Sequence, residues 1–367
     1  MKFSCIRQYF LDALHVAEHA TRKNTVLPIL QNVLVKAEKS KVCISATDLE
    51  IGIRASLQAK VTEEGEFTFP ARILSEFLAY TNEEKISLAT KGKSFVVQTG
   101  SHHATIQGTD TKEFPIIPGI EAVFSVRIPG NKFLDTISML VPLCATGEVR
   151  PELGGVFCSF EKNQLRIAAT DSFRLGEYVV DIDPQAHTYH CIIPAKSIIE
   201  IVRVLDSADT DIEILASAHQ ILLKAQDREI LSRLIEGKYP EYQTVIPVSC
   251  TTRVYFKKSE LLQVLRAAGV FSGKGDEIQI GIFPEEKKCT IVSHQSDAGS
   301  YEVTVSCDGE GKSVSLLCNY RYLIDALEGF PDETISIEAN KENDPLLIQG
   351  SSTGGIRYVV VPLRSLS

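Results

Sequence analysis

The stretch ATDSFRLGEY, at residues 169–178, places residues that could do chemistry among apolar neighbours near the middle of the chain. A hydroxyl, a carboxylate and a guanidinium follow one another closely there, in Thr170, Asp171 and Arg174, as they might in a catalytic loop. Because an active site is usually single, the first question is whether this pattern occurs elsewhere in the chain.

The pattern recurs. ATDLEIGIRA, at residues 46–55, opens with the same Ala-Thr-Asp, and a weaker copy, QSDAGSYEVT, begins at Gln295. Thr170 follows Thr47 by 123 residues, and Ser296 follows Thr170 by 126. Thr or Ser followed by Asp at a strand turn caps local backbone groups, a structural role that repeats naturally. The pairs are therefore interpreted as scaffold rather than as a catalytic device.

Other catalytic and metal-binding patterns are missing from the sequence. It contains no GxxxxGK[ST], GxGxxG or HExxH, and GVFSGKGD fails the spacing of a phosphate loop. His15 and His19 stand at i and i+4, but no third metal ligand is visible. We therefore expect no enzyme activity, no metal and no cofactor.

The cysteines point to a reduced compartment. There are nine, an odd number, and no two form a CxxC pair. We interpret them as small core residues.

Composition describes a globular chain of 367 residues, 44% hydrophobic and 23% charged. No apolar run approaches the roughly 20 residues that span a bilayer, and the opening MKFSCIRQYF lacks a signal-peptide pattern. We expect a cytoplasmic protein without a membrane partner. The formal net charge of -9 argues against tight binding of nucleic acid, which depends on Lys and Arg.

Two kinds of amphipathic segment repeat at intervals of about 120 residues. In three predicted helices, apolar residues at i, i+1, i+4 and i+7 share one face. They are Phe10, Leu11, Leu14 and Ala17; Phe133, Leu134, Ile137 and Leu140; and Leu261, Leu262, Leu265 and Ala268. A second helix follows each of these, in FPARILSEFLAY, IPAKSIIEIVRVL and CNYRYLIDALEGF, and each carries one basic residue at the equivalent place: Arg72, Lys196 or Arg321.

Between the helices the hydrophobic period changes to two, as in CISATDLEIGIRASLQ, where Leu49, Ile51, Ile53, Ala55 and Leu57 alternate with mostly polar residues. Each repeat thus combines two helices with antiparallel strands. The sequence predicts an α+β chain of three tandem domains, at 1–120, 121–248 and 249–367. Similar domains that meet at a fixed rotation form an arc, and two such arcs can close head to tail into a ring of six domains.

The whole chain resembles the bacterial DNA polymerase III beta subunits, the sliding clamps. The resemblance is carried by TVLPILQNVLV, ATDLEIGI, EVRPELGGV, ATDSFRLGEY, SRLIEGKYPEYQTVIP and YVVVPLR, which follow one another along three repeats. It implies a DNA-clamp fold, a homodimeric ring around duplex DNA and a non-catalytic role in processive replication. The implied partners are the replicative polymerase alpha subunit, the clamp loader and other proteins with a clamp-binding motif.

A ring held by topology needs no tight grip on phosphate, and a tight grip would oppose sliding. A modest positive lining inside an acidic body is then sufficient. The resemblance implies as DNA-facing residues Arg7, Arg22, Lys23, Arg72, Lys132, Arg150, Lys196, Lys258, Arg266 and Arg321. Any one of them could equally be an ordinary solvated charge. Asn24 stands where many family members have Arg.

In the family, partners insert a short peptide with Gln and bulky apolar residues into a pocket. The resemblance implies as pocket residues Leu153, Thr170, Ser172, Phe173, Arg174, Leu175, Pro240, Thr244, Val245, Asn319, Tyr322, Val359, Val360, Val361, Pro362, Leu363 and Arg364. Phe173, Ser172 and Thr244 replace a common His, a common Gly and an Arg found in some members, so we expect a more apolar, less basic pocket. Two alternatives stay open: the tail could be a simple edge strand, and Arg174 could form a structural salt bridge.

The resemblance also implies a ring seam in which Ala104 and Ile106 face Val270 and Phe271. Phe271 could equally lie in the core of its own domain. A competing class is a three-domain scaffold that binds proteins without encircling DNA.

Overall fold

The computed structural model describes residues 1–21, 27–147, 149–205, 210–295, 299–351 and 355–364. Within these ranges it has six α-helices and 26 strands. The helices are α1 (Arg7–Glu18), α2 (Ala71–Ala79), α3 (Gly130–Leu140), α4 (Ala195–Leu205), α5 (Lys258–Gly269) and α6 (Tyr320–Gly329).

The first thirteen strands are β1 (Lys2–Ile6), β2 (Asn32–Glu38), β3 (Lys41–Thr47), β4 (Ile51–Gln58), β5 (Lys60–Glu63), β6 (Gly65–Pro70), β7 (Lys85–Lys91), β8 (Ser94–Thr99), β9 (His102–Gln107), β10 (Phe124–Pro129), β11 (Gly155–Glu161), β12 (Gln164–Thr170) and β13 (Arg174–Asp181). The others are β14 (Tyr189–Pro194), β15 (Asp211–Ala216), β16 (Gln220–Ala225), β17 (Arg228–Arg233), β18 (Thr252–Lys257), β19 (Glu277–Phe283), β20 (Lys288–Gln295), β21 (Gly299–Ser306), β22 (Asp308–Gly311), β23 (Val314–Asn319), β24 (Thr334–Ala339), β25 (Leu346–Gly350) and β26 (Ile356–Val360).

The chain divides into two compact units. The first comprises Met1–Ser138 with Ile193–Glu236. It contains a five-stranded sheet in the order β5-β1-β7-β8-β9 and an eight-stranded sheet in the order β10-β15-β16-β17-β4-β3-β2-β6. The antiparallel pairing of β17 with β4 draws the second half of the central repeat into this unit.

The second unit comprises Met139–Ile192 with Gly237–Ser367. Its sheets have the orders β14-β11-β12-β13-β26-β25-β24-β18-β22 and β21-β20-β19-β23. Here β26 pairs antiparallel with β13, as β17 does with β4 in the first unit. These long-range pairings cross the predicted limits at 120 and 248, which remain a prediction.

The predicted helical stripes are confirmed. Phe10, Leu14 and Ala17 of α1 are fully buried, and the four predicted positions of α3 are all buried. In α5, Leu261, Leu265 and Ala268 are buried while Leu262 is only half-buried. Burial of a Leu or Phe side chain stabilises a fold by about 1.5–3 kcal/mol, so these buried stripes hold the helices in the fold.

The cysteines are all thiols, and seven of the nine are buried, as predicted. Burial raises the pKa of Cys5, Cys144, Cys289 and Cys318 to about 12, which keeps these thiols protonated and inert at neutral pH. Across the described ranges, no helix is long and apolar enough to cross a membrane. The same residues include no cluster of three or more His, Cys, Asp or Glu side chains suited to a metal ion.

Candidate functional site

The second unit contains a cavity of about 220 Å³ beside the turn that joins β12 to β13. We call it the Thr170 pocket. It is lined by Arg150, Leu153, Thr170, Ser172, Arg174, Leu175, Pro240, Glu241, Tyr242, Val245, Val359 and Val361. Nine of these twelve residues belong to the predicted pocket, and they come from four separate stretches of chain. The walls are mainly apolar, with charged groups at Arg150, Arg174 and Glu241.

The turn is held by its own Thr-Asp pair. The Thr170 hydroxyl donates to the carbonyl of Arg174 at 2.7 Å and accepts from the backbone N–H of Ser172 at 3.1 Å. Asp171 Oδ1 accepts from the N–H groups of Phe173 and Arg174, each at 3.0 Å. Ser172 adopts a φ of 80°, a conformation that favours glycine. The predicted capping role is confirmed for this copy.

The copy in the first unit makes the same set of contacts. The Thr47 hydroxyl donates to the Ile51 carbonyl at 2.7 Å and accepts from the Leu49 N–H at 3.0 Å. Asp48 Oδ1 accepts from the N–H groups of Glu50 and Ile51, and Leu49 has a φ of 77°. Leu49, predicted to lie in a strand, is therefore an exposed turn residue. Ser296 and Asp297 of the third copy lie outside the described residues.

The chain tail closes one side of the pocket. β26 lies between β13 and β25 inside the nine-stranded sheet, so the alternative of a simple edge strand is wrong. The Val361 N–H donates to the Phe173 carbonyl at 2.9 Å, and the Leu363 N–H donates to the Leu317 carbonyl at 2.7 Å. Val359 and Val361 line the cavity, while the alternating Val360 is fully buried.

Arg174 forms the structural salt bridge that the sequence left open. Its side chain is 11% exposed and binds Asp171 at 2.9 Å and Asp325 of α6. Burial lowers the pKa of the guanidinium, but Tyr358 and the two carboxylates outweigh burial and raise it above its ordinary value. Arg174 therefore stays charged within the pocket wall.

A buried ion cluster supports the part of the wall that Tyr242 forms. Glu177 of β13 is 0% exposed, and its carboxylate accepts from Arg357 of β26 and from the Tyr242 hydroxyl at 3.0 Å. Arg166 lies 3.7 Å away. Burial, with the Glu177 carboxylate, raises the pKa of Tyr242, so the phenol remains a donor. The cluster fixes Tyr242 and the adjoining wall segment.

The equivalent cross-strand ion pair of the first unit has its positive and negative residues exchanged between the two strands. There the cation is on the first strand, in Arg54 of β4, and the anion is on its cross-strand partner, Glu229 of β17, 3.5 Å away. Arg54 also donates to the Ile117 carbonyl at 2.7 Å. Both members of this pair are partly exposed, unlike Glu177.

The other predicted pocket residues lie around the cavity rather than in its lining. Phe173 is 56% exposed at the turn, and Tyr322 packs under the Arg174 guanidinium at 4.6 Å. The Thr244 hydroxyl donates to the Glu241 carbonyl, and Asn319 caps the first turn of α6. The remaining tail positions are a buried Pro362, a half-buried Leu363 and an exposed Arg364.

Sequence reasoning missed Glu241 and Tyr242 as lining residues. Tyr239 and Tyr242 flank Pro240 and Glu241 in YPEYQTV, and two aromatic residues so close to a predicted pocket residue could have indicated that this segment contributes more to the wall. Arg150 also lines the pocket, where it binds Glu152 at 3.1 Å, and its predicted contact with DNA stays a prediction.

Two more of the predicted DNA-facing cations bind helix ends. Arg7 donates to the Leu78 carbonyl at the end of α2, and Lys258 donates to the Phe330 carbonyl after α6, at 2.9 and 2.7 Å. A cation at a helix C-terminus satisfies carbonyls and complements the macrodipole. These two contacts therefore stabilise the fold, and the contact of either residue with DNA stays a prediction.

The remaining predicted cations are placed as follows. Arg72, Lys196 and Arg321 are each the second residue of a helix, in α2, α4 and α6, and all three are exposed. Arg266 pairs with Glu328 at 2.7 Å. Lys132 is exposed on α3, and Arg22 and Lys23 lie outside the described residues.

The predicted seam residues differ in exposure. Ile106, paired with Phe95 across β8 and β9, is 4% exposed and belongs to the core of its own unit, so it offers little surface to a partner. Ala104 is half-buried and Val270 is 70% exposed. Phe271 stacks on Tyr301 at 6.0 Å between centroids, the intradomain packing left open from the sequence.

Known proteins match this chain over its whole length. Family models match in order: DNA polymerase III beta subunit N-terminal domain at residues 1–118, central domain at 127–241 and C-terminal domain at 243–364. The beta sliding clamp of Staphylococcus epidermidis is 23% identical over 375 residues, covering 100% of both chains. The crystal structure of the Thermotoga maritima DNA polymerase III beta subunit is 26% identical, with a TM-score of 0.91 and 99% of each chain covered.

A Pseudomonas aeruginosa sliding clamp bound to griselimycin superposes with a TM-score of 0.94 at 24% identity, covering 99% of each chain. This likeness concerns the fold. The three family matches together cover the chain except for residues 119–126, residue 242 and residues 365–367. The chain therefore belongs to the DNA polymerase III beta subunit family, the non-catalytic sliding clamps that tether the replicative polymerase, and consists of three tandem clamp domains.

Proposed function

We propose that two copies of this chain close head to tail into a six-domain ring that encircles duplex DNA without reading its sequence. The Thr170 pocket of each copy receives a peptide bearing Gln and bulky apolar residues, from the polymerase alpha subunit, the clamp loader or another clamp-binding protein. The ring works in the cytoplasm, on the replicating DNA. The observation that carries the proposal is the Thr170 pocket, assembled from the stretches implied by the family resemblance.

The size and walls of the pocket suit a peptide anchor. A cavity of about 220 Å³ is smaller than the 300–1,000 Å³ of typical small-molecule sites. It has room for one or two side chains, and Leu153, Leu175, Val359 and Val361 give it an apolar floor. A few anchors buried in such a groove carry most of the affinity of a peptide. Phe173 and Thr244, which stand where a His is common and an Arg is found in some members, make its rim less basic than the common family pattern.

The helix positions of Arg72, Lys196 and Arg321 support a role toward DNA. A cation in the first turn of a helix opposes the macrodipole and costs about 0.3–1 kcal/mol. A cation at this position in every repeat therefore lowers the stability of the helices, and contact with DNA phosphate is a reason for having it there. Arg72 pairs with Glu76 and Arg321 with Asp276, which weakens the hold on DNA and suits sliding.

The sheet edges support head-to-tail closure. β9 is an edge strand of the first unit and β21 is an edge strand of the second. An edge strand presents unpaired backbone groups that a strand of another chain can satisfy. Val270 is an exposed apolar residue next to Phe271, whose ring stacks on Tyr301 of β21.

Topological retention tests the ring. Protein loaded on a nicked circular plasmid is expected to stay bound through gel filtration and to leave once a restriction enzyme linearises the circle. Its native mass is expected to be that of a dimer. Retention that is indifferent to linearisation, or a strict monomer at micromolar concentration, overturns the ring and favours a scaffold that does not encircle DNA.

Two valines on one segment test the pocket. Val245 lines the cavity, whereas Val248 is exposed and outside its lining. Val245→Asp is expected to weaken binding of a peptide with Gln, Leu and Phe by about tenfold or more, because a charge enters an apolar groove. Val248→Asp is the matched control and is expected to bind like wild type in calorimetry. Equal affinities for both variants overturn the peptide assignment.

A further inference from the structure

Arg174 joins four parts of the second unit around the Thr170 pocket. Its Nε–H donates to Asp171 in the turn, and its Nη2 donates to the Pro142 carbonyl at 2.8 Å. Its Nη1 donates to Asp325 of α6 and, at 3.4 Å, to the Tyr358 hydroxyl of β26. The guanidinium also lies over the Tyr322 ring. The turn, the loop after α3, the tail strand and α6 are thus connected through one side chain.

These contacts leave the guanidinium little capacity for a ligand. An arginine has five N–H donors in a fixed planar fork, and four hydrogen bonds to protein acceptors occupy most of them here. Arg174 is also one of the residues that line the cavity, together with Leu175 and Val361. Its hydrogen bonds to protein acceptors therefore fix a charged side chain within the pocket wall.

We propose that Asp325 and Tyr322 of α6 are positioning residues for the Thr170 pocket, acting on a bound peptide through Arg174. Neither residue lines the cavity. The proposal rests on the proposed peptide-binding function, and it explains why Tyr322 flanks the pocket without forming its wall.

The physical reason is the cost of a loose cation beside an apolar groove. Asp325 holds one end of the fork and Tyr322 supports its flat face. Without the Asp325 carboxylate, Nη1 keeps only its longer contact to Tyr358, so the guanidinium, still bound to Asp171 and the Pro142 carbonyl, is held less firmly and can shift toward the cavity. A charge there would occupy the space of an apolar anchor and would have to be desolvated when the peptide binds.

The test compares two acids on the same helix. Asp325→Ala removes one of the two carboxylate partners of Arg174, whereas Glu328→Ala removes the partner of Arg266 and no partner of Arg174. Both carboxylates are partly exposed, so both variants are expected to fold. A fluorescein-labelled synthetic peptide with Gln, Leu and Phe serves as the probe in anisotropy titrations. We expect Asp325→Ala to weaken its binding by about tenfold and Glu328→Ala to leave it unchanged.

A double-mutant cycle separates positioning from a general loss of structure. In an Arg174→Lys background the fork is absent, so Asp325→Ala is expected to cause no further loss of peptide affinity. Asp325→Glu, which keeps the carboxylate, is expected to restore most of the affinity. A wild-type affinity in Asp325→Ala, or an undiminished loss in the Arg174→Lys background, overturns the proposal. A wild-type protein that fails to bind the peptide overturns the proposed function instead, and this inference with it.

Discussion

Two strand junctions in this molecule share a backbone plan and differ in their side chains. In the first, a Thr-Asp turn leads into β4, which pairs with β17; in the second, the same turn leads into β13, which pairs with β26. The backbone hydrogen bond between each turn and the end of the paired strand also repeats. The Arg233 N–H donates to the Glu50 carbonyl in the first junction, and the Val361 N–H donates to the Phe173 carbonyl in the second. The repeated hydroxyl and carboxylate build the turn and are not the functional groups.

The two junctions differ in the residues just after the turn and in how deeply their charges are buried. After the first turn, Ile51 is buried and the Arg54–Glu229 pair is partly exposed. After the second, Arg174 lines a cavity and Glu177 is completely buried. The same turn and strand pairing thus only connects two strands in the first unit, whereas in the second unit it also supports the Thr170 pocket.

The largest expected contrast is in stability. Glu177→Ala leaves Arg357 and the Tyr242 hydroxyl without their buried carboxylate, while Arg166 keeps its ion pair with Glu161, and this costs about 3–5 kcal/mol of unfolding free energy. Arg54→Ala breaks a partly exposed pair and is expected to cost about 1 kcal/mol. Urea denaturation followed by circular dichroism measures both variants. Similar losses would show that the two junctions do not differ in this way.

Removal of the Thr47 or the Thr170 hydroxyl is expected to distinguish an effect on stability from an effect on peptide binding. Thr47→Val and Thr170→Val each remove the hydroxyl that donates and accepts within its turn, so each is expected to lose about 1–2 kcal/mol of stability. Only Thr170→Val is expected to weaken peptide binding, because only that turn lines the Thr170 pocket. Calorimetry with the same peptide provides the measurement. An equal loss of affinity in Thr47→Val would contradict the assignment of separate roles.

The smallest expected effect concerns the left-handed turn residues. Leu49 and Ser172 both have a φ near 80°. Glycine avoids the strain of about 1 kcal/mol that an L-residue bears there, and gives up part of that gain as chain entropy. Leu49→Gly and Ser172→Gly are therefore each expected to raise the unfolding free energy by less than about 1 kcal/mol in urea titrations. A clear loss of stability in either variant would mean that its side chain contributes more than its backbone strain costs.

Local patterns made part of this fold predictable. The 3.6-residue stripes located the helices, because burying one face of a helix requires apolar residues at fixed intervals. The Thr-Asp turns were predictable because each side chain reaches only its own neighbours. Nine of the seventeen predicted pocket residues line the cavity, and these came from a family resemblance rather than from periodicity.

Long-range contacts set the limit of that prediction. An acid in an alternating strand indicates a solvated face, yet Glu177 is buried by Arg357, 180 residues away. Arg174 likewise finds partners that lie 32 to 184 residues further along or back in the chain. The helix-end contacts of Arg7 and Lys258 were missed for the same reason, because the carbonyls they bind are distant in sequence. A pattern within ten or twenty residues carries no trace of such partners.

The acid lies on the first strand of one cross-strand ion pair, Glu177–Arg357, and on the second strand of the other, Arg54–Glu229, and this difference has a consequence for how the chain folds. In a protein of similar repeats, a strand that arrives late can dock on the wrong copy of its acceptor, the characteristic error of such chains. β26 placed on β4 in the native register would set Arg357 against Arg54, and β17 placed on β13 would set Glu229 against Glu177. Like charges directly opposite one another destabilise a strand pair. The two ion pairs therefore favour the pairing of each late strand with its native acceptor strand over pairing with the acceptor of the other unit.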